Sequence, residues 1–244
     1  MSQKPNNEIY NIYYRRYPYA FRFGSYLALV RSLTIRPLVS QLYQHSQLSN
    51  QTYERLMRTR QLIRTLIYFG LESEKGQAAI ATINQAHQTV VADNDDYLYI
   101  LSCFFLEPFR WNNDYQKQII SAQEQQTVVD FWCEVGQQMS INNLLSNPQD
   151  WLAFQQQYES EHMDYSDEGH ELAMRSIDKL VKQAAPFGLR TLARQILITT
   201  IDPKVQHCLK LPGSLLPQTA IIWLLNSVQI NFEPRKDIAY KTMT

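Results

Sequence analysis

The sequence predicts an all-α protein with a single multi-helix domain. Among 244 residues there are only 7 glycines, and Gln, Leu and Ala are plentiful, a composition that favours helices over turn-rich β architectures. Apolar residues recur at intervals of three and four along most segments, which is the period of a helix with one buried face. No internal repeat and no linker divides the chain. We therefore expect one helical domain over 17–244, preceded by a polar, Tyr-rich extension over 1–16.

Three helices are predicted before residue 70. The first covers about 21–33, and Pro37 starts or kinks a second that ends near His45. The third covers about 52–69 and carries two neighbouring apolar stripes. Gly70 follows it directly, and glycine is the usual residue just beyond a helix C-terminus.

The fourth predicted helix carries a histidine on an apolar face. Four of its residues share that face at helical spacing: Ile80, Ile83, His87 and Val90. His87 is therefore expected to point inward, with the small residues Ala79 and Ala86 beside it. On spacing alone, a core histidine that bonds to neighbouring polar groups is favoured over a metal or cofactor ligand, and both interpretations stay open.

Caps and breakers set the later helices. The acidic cluster over 93–96 offers N-cap side chains to a helix over about 97–106. That helix is expected to stop before Pro108, because the residue preceding a proline is biased away from helical angles. Asn147 followed by Pro148 is a cap and first-turn pair. The remaining predicted helices cover about 127–139, 168–184, 189–199 and 218–230.

Charge and cysteine usage exclude several classes of partner and compartment. Lys plus Arg equals Asp plus Glu at 23 each, so no net field gathers nucleic acid, and no nucleic-acid partner is expected. Cys103, Cys133 and Cys208 are widely spaced and form no C-x-x-C, which favours a reducing compartment over a disulfide framework. The start lacks a signal-peptide pattern and no apolar run is long enough to cross a bilayer. We expect a cytoplasmic protein without a membrane span.

Common catalytic motifs are missing from the sequence. There is no G-x-S-x-G, no P-loop and no G-x-G-x-x-G, so ordinary hydrolase and nucleotide-binding functions have no support. The segment "YESEHMDYSDEGHE" has the residue types of a metal site. However, His162 and His170 are eight apart across an expected helix break. A solvated acidic connection, with Ser166 or Asp167 capping the next helix, is the favoured interpretation.

The order of several segments resembles one known family. The segments are "YPYAFRFGSYLALVRS", "RLMRTRQLI", "INQAH", "NDDYLYIL", "EPFRW", "DFWCEVGQQMSI" and "YESEHM", between about Tyr17 and Thr199. They resemble the catalytic domain of the fungal MpaB oxygenase and the bacterial latex-clearing proteins, or rubber oxygenases. The resemblance implies a globin-like core around a haem pocket, with haem b held by an axial histidine. It also implies dioxygen-dependent cleavage of carbon–carbon double bonds in isoprenoid chains.

The resemblance assigns roles to four residues. The family's N-x-x-H segment matches Asn84 and His87, which makes His87 the implied axial ligand of the iron. The R-x-x-K-T pattern matches Arg55, Arg58 and Thr59, all implied to line the cofactor site. Arg55 and Thr59 share one helix face at i and i+4. A guanidinium and a hydroxyl there could polarise dioxygen or bind a haem propionate.

Two departures from the family pattern bear on the substrate. Arg58 stands where latex-clearing proteins carry a lysine able to reach the iron, and arginine stays protonated and is a poor metal ligand. Between Glu8 and Glu54 the sequence has no Asp or Glu, so the family's upstream glutamate base is absent. These departures count against polyisoprene cleavage and leave haem and dioxygen chemistry open.

The leading hypothesis is a haem b-dependent oxygenase that acts with dioxygen on a small apolar, isoprenoid-like substrate. One alternative is a haem-dependent oxidase or dehydrogenase that does not insert oxygen. The other is a helical protein that binds haem or an apolar ligand without turnover, which the missing carboxylate favours.

Overall fold

The computed structural model describes residues 7–45, 51–88, 90–213 and 215–227, without the side chains of 41–45, 51–57, 225 and 226. In chain order, the helices are α1 Glu8–Asn11, α2 Pro18–Ser32, α3 Arg36–His45, α4 Gln51–Phe69, α5 Glu74–His87, α6 Asn94–Tyr115, α7 Ala122–Gln138, α8 Pro148–His162, α9 Asp167–Ala184, α10 Arg190–Thr199, α11 Pro203–Cys208 and α12 Gln218–Ser227. A π-helical turn, Ile12–Arg16, follows α1, and a 3₁₀ turn, Phe187–Leu189, precedes α10. The only β pairing among the described residues is one isolated bridge, between Ile35 and Met163. The prediction of an all-α protein is confirmed.

Several helix ends lie where the sequence predicts them. Gly70 follows α4 with a φ of 81°, the left-handed conformation that glycine adopts at no steric cost. Before α6, the carboxylate of Asp96 accepts a hydrogen bond from the backbone N–H of Asp93, at 2.9 Å. The side chain of Asn147 accepts from the backbone N–H of Asp150, also at 2.9 Å, and so caps α8. These caps satisfy donors that the helix itself leaves unpaired.

The prediction that a helix stops before Pro108 is wrong, because α6 passes through the proline and ends at Tyr115. A proline inside a helix removes one hydrogen bond and crowds the preceding turn. Here that cost is offset by the apolar surface beyond the proline, since Trp111 and Tyr115 are both buried. A Cβ on Gly24 of α2 would lie 2.5 Å from the backbone N and Cα of Pro108. The two helix backbones therefore approach closely at a glycine.

Helices α2 and α6 form the most extensive helix pair of the described fold, and α7 and α8 pack on α6. The N-terminal segment also enters the core. Ile9 and Ile12 are buried, and the indole N–H of Trp132 donates to the hydroxyl of Tyr13 at 2.7 Å. Helices α1 and α11 were not predicted, because four and six residues are too few to show a helical period.

Within the described residues, none of the helices combines the length and the apolar character needed to cross a membrane.

Candidate functional site

Helices α4 and α5 carry the residues that the sequence singles out. The chain reverses between them over residues 70–73, and the two helices pack on one another. At a rise of about 1.5 Å per residue, His87 lies about 20 Å from the start of α5, and position 55 lies about 21 Å from the end of α4. Residues 55–59 and His87 are therefore at the same end of this helical pair, the end remote from Gly70.

His87 is the last residue of α5, and its side chain is partly buried. The predicted helical face through Val90 is therefore wrong beyond His87, since Val90 lies in the connection to α6. The imidazole meets the ring of Tyr97 edge to face, with centroids 5.6 Å apart and an angle of 86°. Burial, together with the charge of Asp96, raises the pKa of Tyr97. A protonated phenol thus flanks the imidazole at the edge of the core.

The small residues expected beside His87 lie in different environments. Ala79 is fully buried within the core, so its methyl group is not available to a ligand. Ala86 is exposed, next to the histidine. Ala79 therefore cannot line a ligand site at His87, whereas Ala86 can.

The α4 residues predicted for the site face solvent where the structure describes them. Arg58 and Thr59 are both exposed. The side chain of Arg55 lies outside the described part of the structure, so its expected role stays a prediction. The fold brings Arg58 and Thr59 to the same end of the helical pair as His87, without enclosing them.

Two further arginines of α4 form a basic group that the sequence reasoning missed. Arg60 donates to the hydroxyl of Tyr26 on α2, and its guanidinium lies 5.0 Å from that ring. Burial, followed by the charges of Arg60 and Arg64, lowers the pKa of Arg22. Arg60 and Arg64 are spaced i and i+4 on α4, and Arg22 and Tyr26 have the same spacing on α2. This matching pattern could have indicated the basic group. Three neighbouring cations of this kind suit a ligand with carboxylates.

A buried ionic network lies in the core between α2, α6 and α8. The guanidinium of Arg31 contacts Glu107 through Nε at 2.7 Å, Glu159 through Nη1 at 2.6 Å, and Asp202 through Nη2. Burial would lower the pKa of Arg31, and the three carboxylates outweigh it and raise that pKa. The network joins distant segments of the chain, and its carboxylates are occupied by Arg31 rather than offered to a ligand.

Glu159 corrects one prediction. The segment that contains it was expected to be a solvated acidic connection, yet Glu159 is only 4% exposed. The same segment behaves as predicted at Ser166, whose side chain caps α9 by accepting from the backbone N–H of Gly169 at 3.0 Å. Among the described residues, no three His, Cys, Asp or Glu side chains gather closely enough to hold a metal ion.

Sequence comparison places the chain among oxygenase catalytic domains. The sequence model of the ER-bound oxygenase mpaB/B′ and rubber oxygenase catalytic domain matches residues 13–228. The chain belongs to this family, and the resemblance drawn from its motifs is confirmed. The match includes the whole of α4 and α5. A comparison with curated protein sequences finds no match.

Proposed function

We propose that the protein is a haem b-dependent oxygenase that uses dioxygen on a small apolar, isoprenoid-like substrate. The observation that carries this proposal is the position of His87 within a chain of the mpaB and rubber oxygenase family. It occupies the histidine of the N-x-x-H segment, it is partly buried, and its ring is set against Tyr97. Imidazole is a common axial ligand of haem iron.

The residues around His87 fit a haem in the proposal. His87 would hold the iron through a ring nitrogen, with the ring of Tyr97 limiting rotation of the imidazole. Arg58 and Arg60, which lie along α4 toward the same end of the pair as His87, would supply positive charge for the propionate carboxylates. When bound, haem would supply the one-electron and dioxygen chemistry that side chains lack.

Two residues of α4 are proposed to act on the reaction itself. Arg55 would hold a fixed positive charge and Thr59 would donate a hydrogen bond where negative charge develops. Arg58 would line the same site without ligating the iron, because a guanidinium keeps its proton. A donor aimed at charge that develops in a transition state is worth about two to three orders of magnitude in rate.

A second candidate function is haem or apolar-ligand binding without turnover. The exposure of Arg58 and Thr59 favours it, since catalytic donors act most strongly where water is excluded. The third candidate inserts no oxygen: an oxidase would pass the electrons of its substrate to dioxygen, and a dehydrogenase would pass them to an added electron acceptor. Substrate consumption with and without such an acceptor, oxygen uptake, and isotope incorporation from ¹⁸O₂ in a single turnover would together distinguish the three.

Haem binding is tested first with a matched pair of histidine variants. The full chain is purified with haemin supplied, and bound haem per chain is measured from the Soret band and after extraction into acidic acetone. We expect non-covalent haem b, because no C-x-x-C-H attachment motif is present. His87→Ala should lose most of this haem while the helical content measured by circular dichroism stays unchanged. His207→Ala removes an exposed histidine on α11 and should retain it.

The outcomes separate the ligand assignment from the function. If His87→Ala keeps its haem and its Soret maximum, another residue is the ligand, and His45 is the next candidate. If the wild-type chain takes up no haemin, the haem-dependent oxygenase is ruled out.

A further inference from the structure

The connection between α9 and α10 exposes large apolar side chains. Phe187 is 86% exposed, Leu189 55% and Leu192 45%. Leu215, 90% exposed, lies beside α10, because its backbone N–H donates to the side chain of Gln195 at 2.7 Å. We call Phe187, Leu189 and Leu192 the apolar tip.

The segment that carries the apolar tip is rich in basic residues. Residues 179–201 contain four Lys or Arg residues and no Asp or Glu, whereas the whole chain has 23 of each sign. Between α9 and α10 lies an open pocket of about 300 Å³, lined by Asp178, Val181, Lys182, Arg190, Thr191 and Arg194. The cationic side chains are therefore concentrated beside the exposed apolar ones.

The pocket carries more positive charge than its single carboxylate neutralises. Asp178 pairs with Arg194. Arg190 Nε is buried and has no hydrogen-bond partner among the described residues. The guanidinium of Arg190 also lies 5.5 Å from the ring of Phe187, so the pocket and the apolar tip are directly connected. The arrangement suits an anionic group that enters the pocket from the side of the tip.

We propose that the apolar tip docks on a membrane surface that contains acidic phospholipids. Phe187, Leu189 and Leu192 enter the interfacial region of the bilayer, and a lipid phosphate binds at Lys182 and Arg190. Aromatic and aliphatic side chains beside basic ones are the usual composition of an interfacial anchor. Apolar insertion and electrostatic attraction together give more stable binding than either alone. This docking does not depend on haem or on the proposed reaction.

Vesicle co-sedimentation of the full chain tests the docking. The protein is mixed with phosphatidylcholine vesicles, with or without about 30 mol% phosphatidylserine, at low and high salt. Binding is expected on the acidic vesicles and should weaken with salt. The double variant Lys182→Gln, Arg190→Gln should lower the partition coefficient by about 25-fold, since each basic residue near an acidic surface contributes roughly fivefold. Phe187→Ser, Leu189→Ser should lower it on acidic vesicles at both salt concentrations.

A matched control uses an exposed basic and apolar pair elsewhere. Lys117 and Ile119 lie in the connection after α6, and both are exposed. The preceding Tyr115 donates to the carbonyl of Thr199, at the other end of α10 from the apolar tip. The double variant Lys117→Gln, Ile119→Ser removes one positive charge and one exposed apolar side chain away from the tip. It should leave vesicle binding unchanged.

Leu189→Trp adds a direct report on insertion. Its fluorescence should shift to shorter wavelength on acidic vesicles and be quenched by lipids brominated in the acyl chain. Equal loss of binding in the tip and control variants would overturn the proposal. So would a wild-type chain that binds no acidic vesicles, or that binds inorganic phosphate at the pocket without binding vesicles. Haem content should be the same in all these variants. A chain that does not bind vesicles therefore leaves the oxygenase proposal standing, and a chain that does not bind haem leaves the membrane proposal standing.

Discussion

Arg31 is 1% exposed and contacts three carboxylates. Removing one partner from a buried ionic network leaves the others buried without compensation, which costs more than the network contributes when intact. We expect Arg31→Met to lower the free energy of unfolding by about 3–5 kcal/mol, measured by urea denaturation. Arg175→Met breaks an exposed pair with Glu171 and should cost less than about 1 kcal/mol. Equal small losses would show that Glu107 and Glu159 are not held by Arg31.

Asp202 makes the same network sensitive to acid. Burial would raise the pKa of this carboxyl, but the charge of Arg31, with hydrogen bonds from Lys204 and Arg31, lowers it below its usual value. A carboxyl whose pKa is lower in the folded than in the unfolded chain stabilises the fold above the unfolded value, about 4, and loses that contribution as pH falls through the folded value.

As the pH is lowered from about 5, we therefore expect the unfolding free energy of Asp202→Asn to fall less steeply than that of the wild type. Asp164→Asn is the control, because Asp164 is exposed and its contact with Arg36 is long, at 3.5 Å. An identical pH profile for Asp202→Asn and the wild type would contradict the role given to this ion pair.

At the scale of helices, the contact between Gly24 and Pro108 fixes the approach of α2 to α6. A methyl group on Gly24 would overlap the backbone of the proline, which has no flexible end to move aside. Gly24→Ala should destabilise the protein by about 1–3 kcal/mol, although alanine is the better helix former. Gly213→Ala is the control, since nothing lies within 4 Å of its added methyl group. Equal melting temperatures for the two variants would show that α2 and α6 separate at little cost.

The same helices show which features of an element can be predicted from sequence. The caps at Asp93, Asn147 and Ser166 were predictable because each depends on a residue three positions away. The passage of α6 through Pro108 was not, because it depends on Gly24, which is 84 positions earlier in the chain. Local chemistry sets helix starts, whereas tertiary packing decides whether a breaker ends a helix.

For the whole molecule, composition and period predicted the all-α fold, and the order of motifs predicted the family. The environment of the candidate site was less predictable. His87 was expected on an inward face, and it lies partly buried at the end of α5 against Tyr97, since the helix stops there. The partners of Arg31 come from three separate segments, so no spacing within one helix indicated them.

The central claim is that His87 holds a haem iron, and imidazole rescue of a glycine variant tests it most directly. Because Arg58 cannot ligate the iron, the wild-type chain should itself bind imidazole, so its Soret spectrum is recorded with and without imidazole as the two references. His87→Gly should bind haemin weakly with a shifted Soret band, and added imidazole, which fits the space left by the side chain, should restore the haem content and the spectrum that the wild type shows in imidazole. His207→Gly should match the wild type throughout. A His87→Gly protein that retains haem with the wild-type spectrum before imidazole is added would contradict the claim.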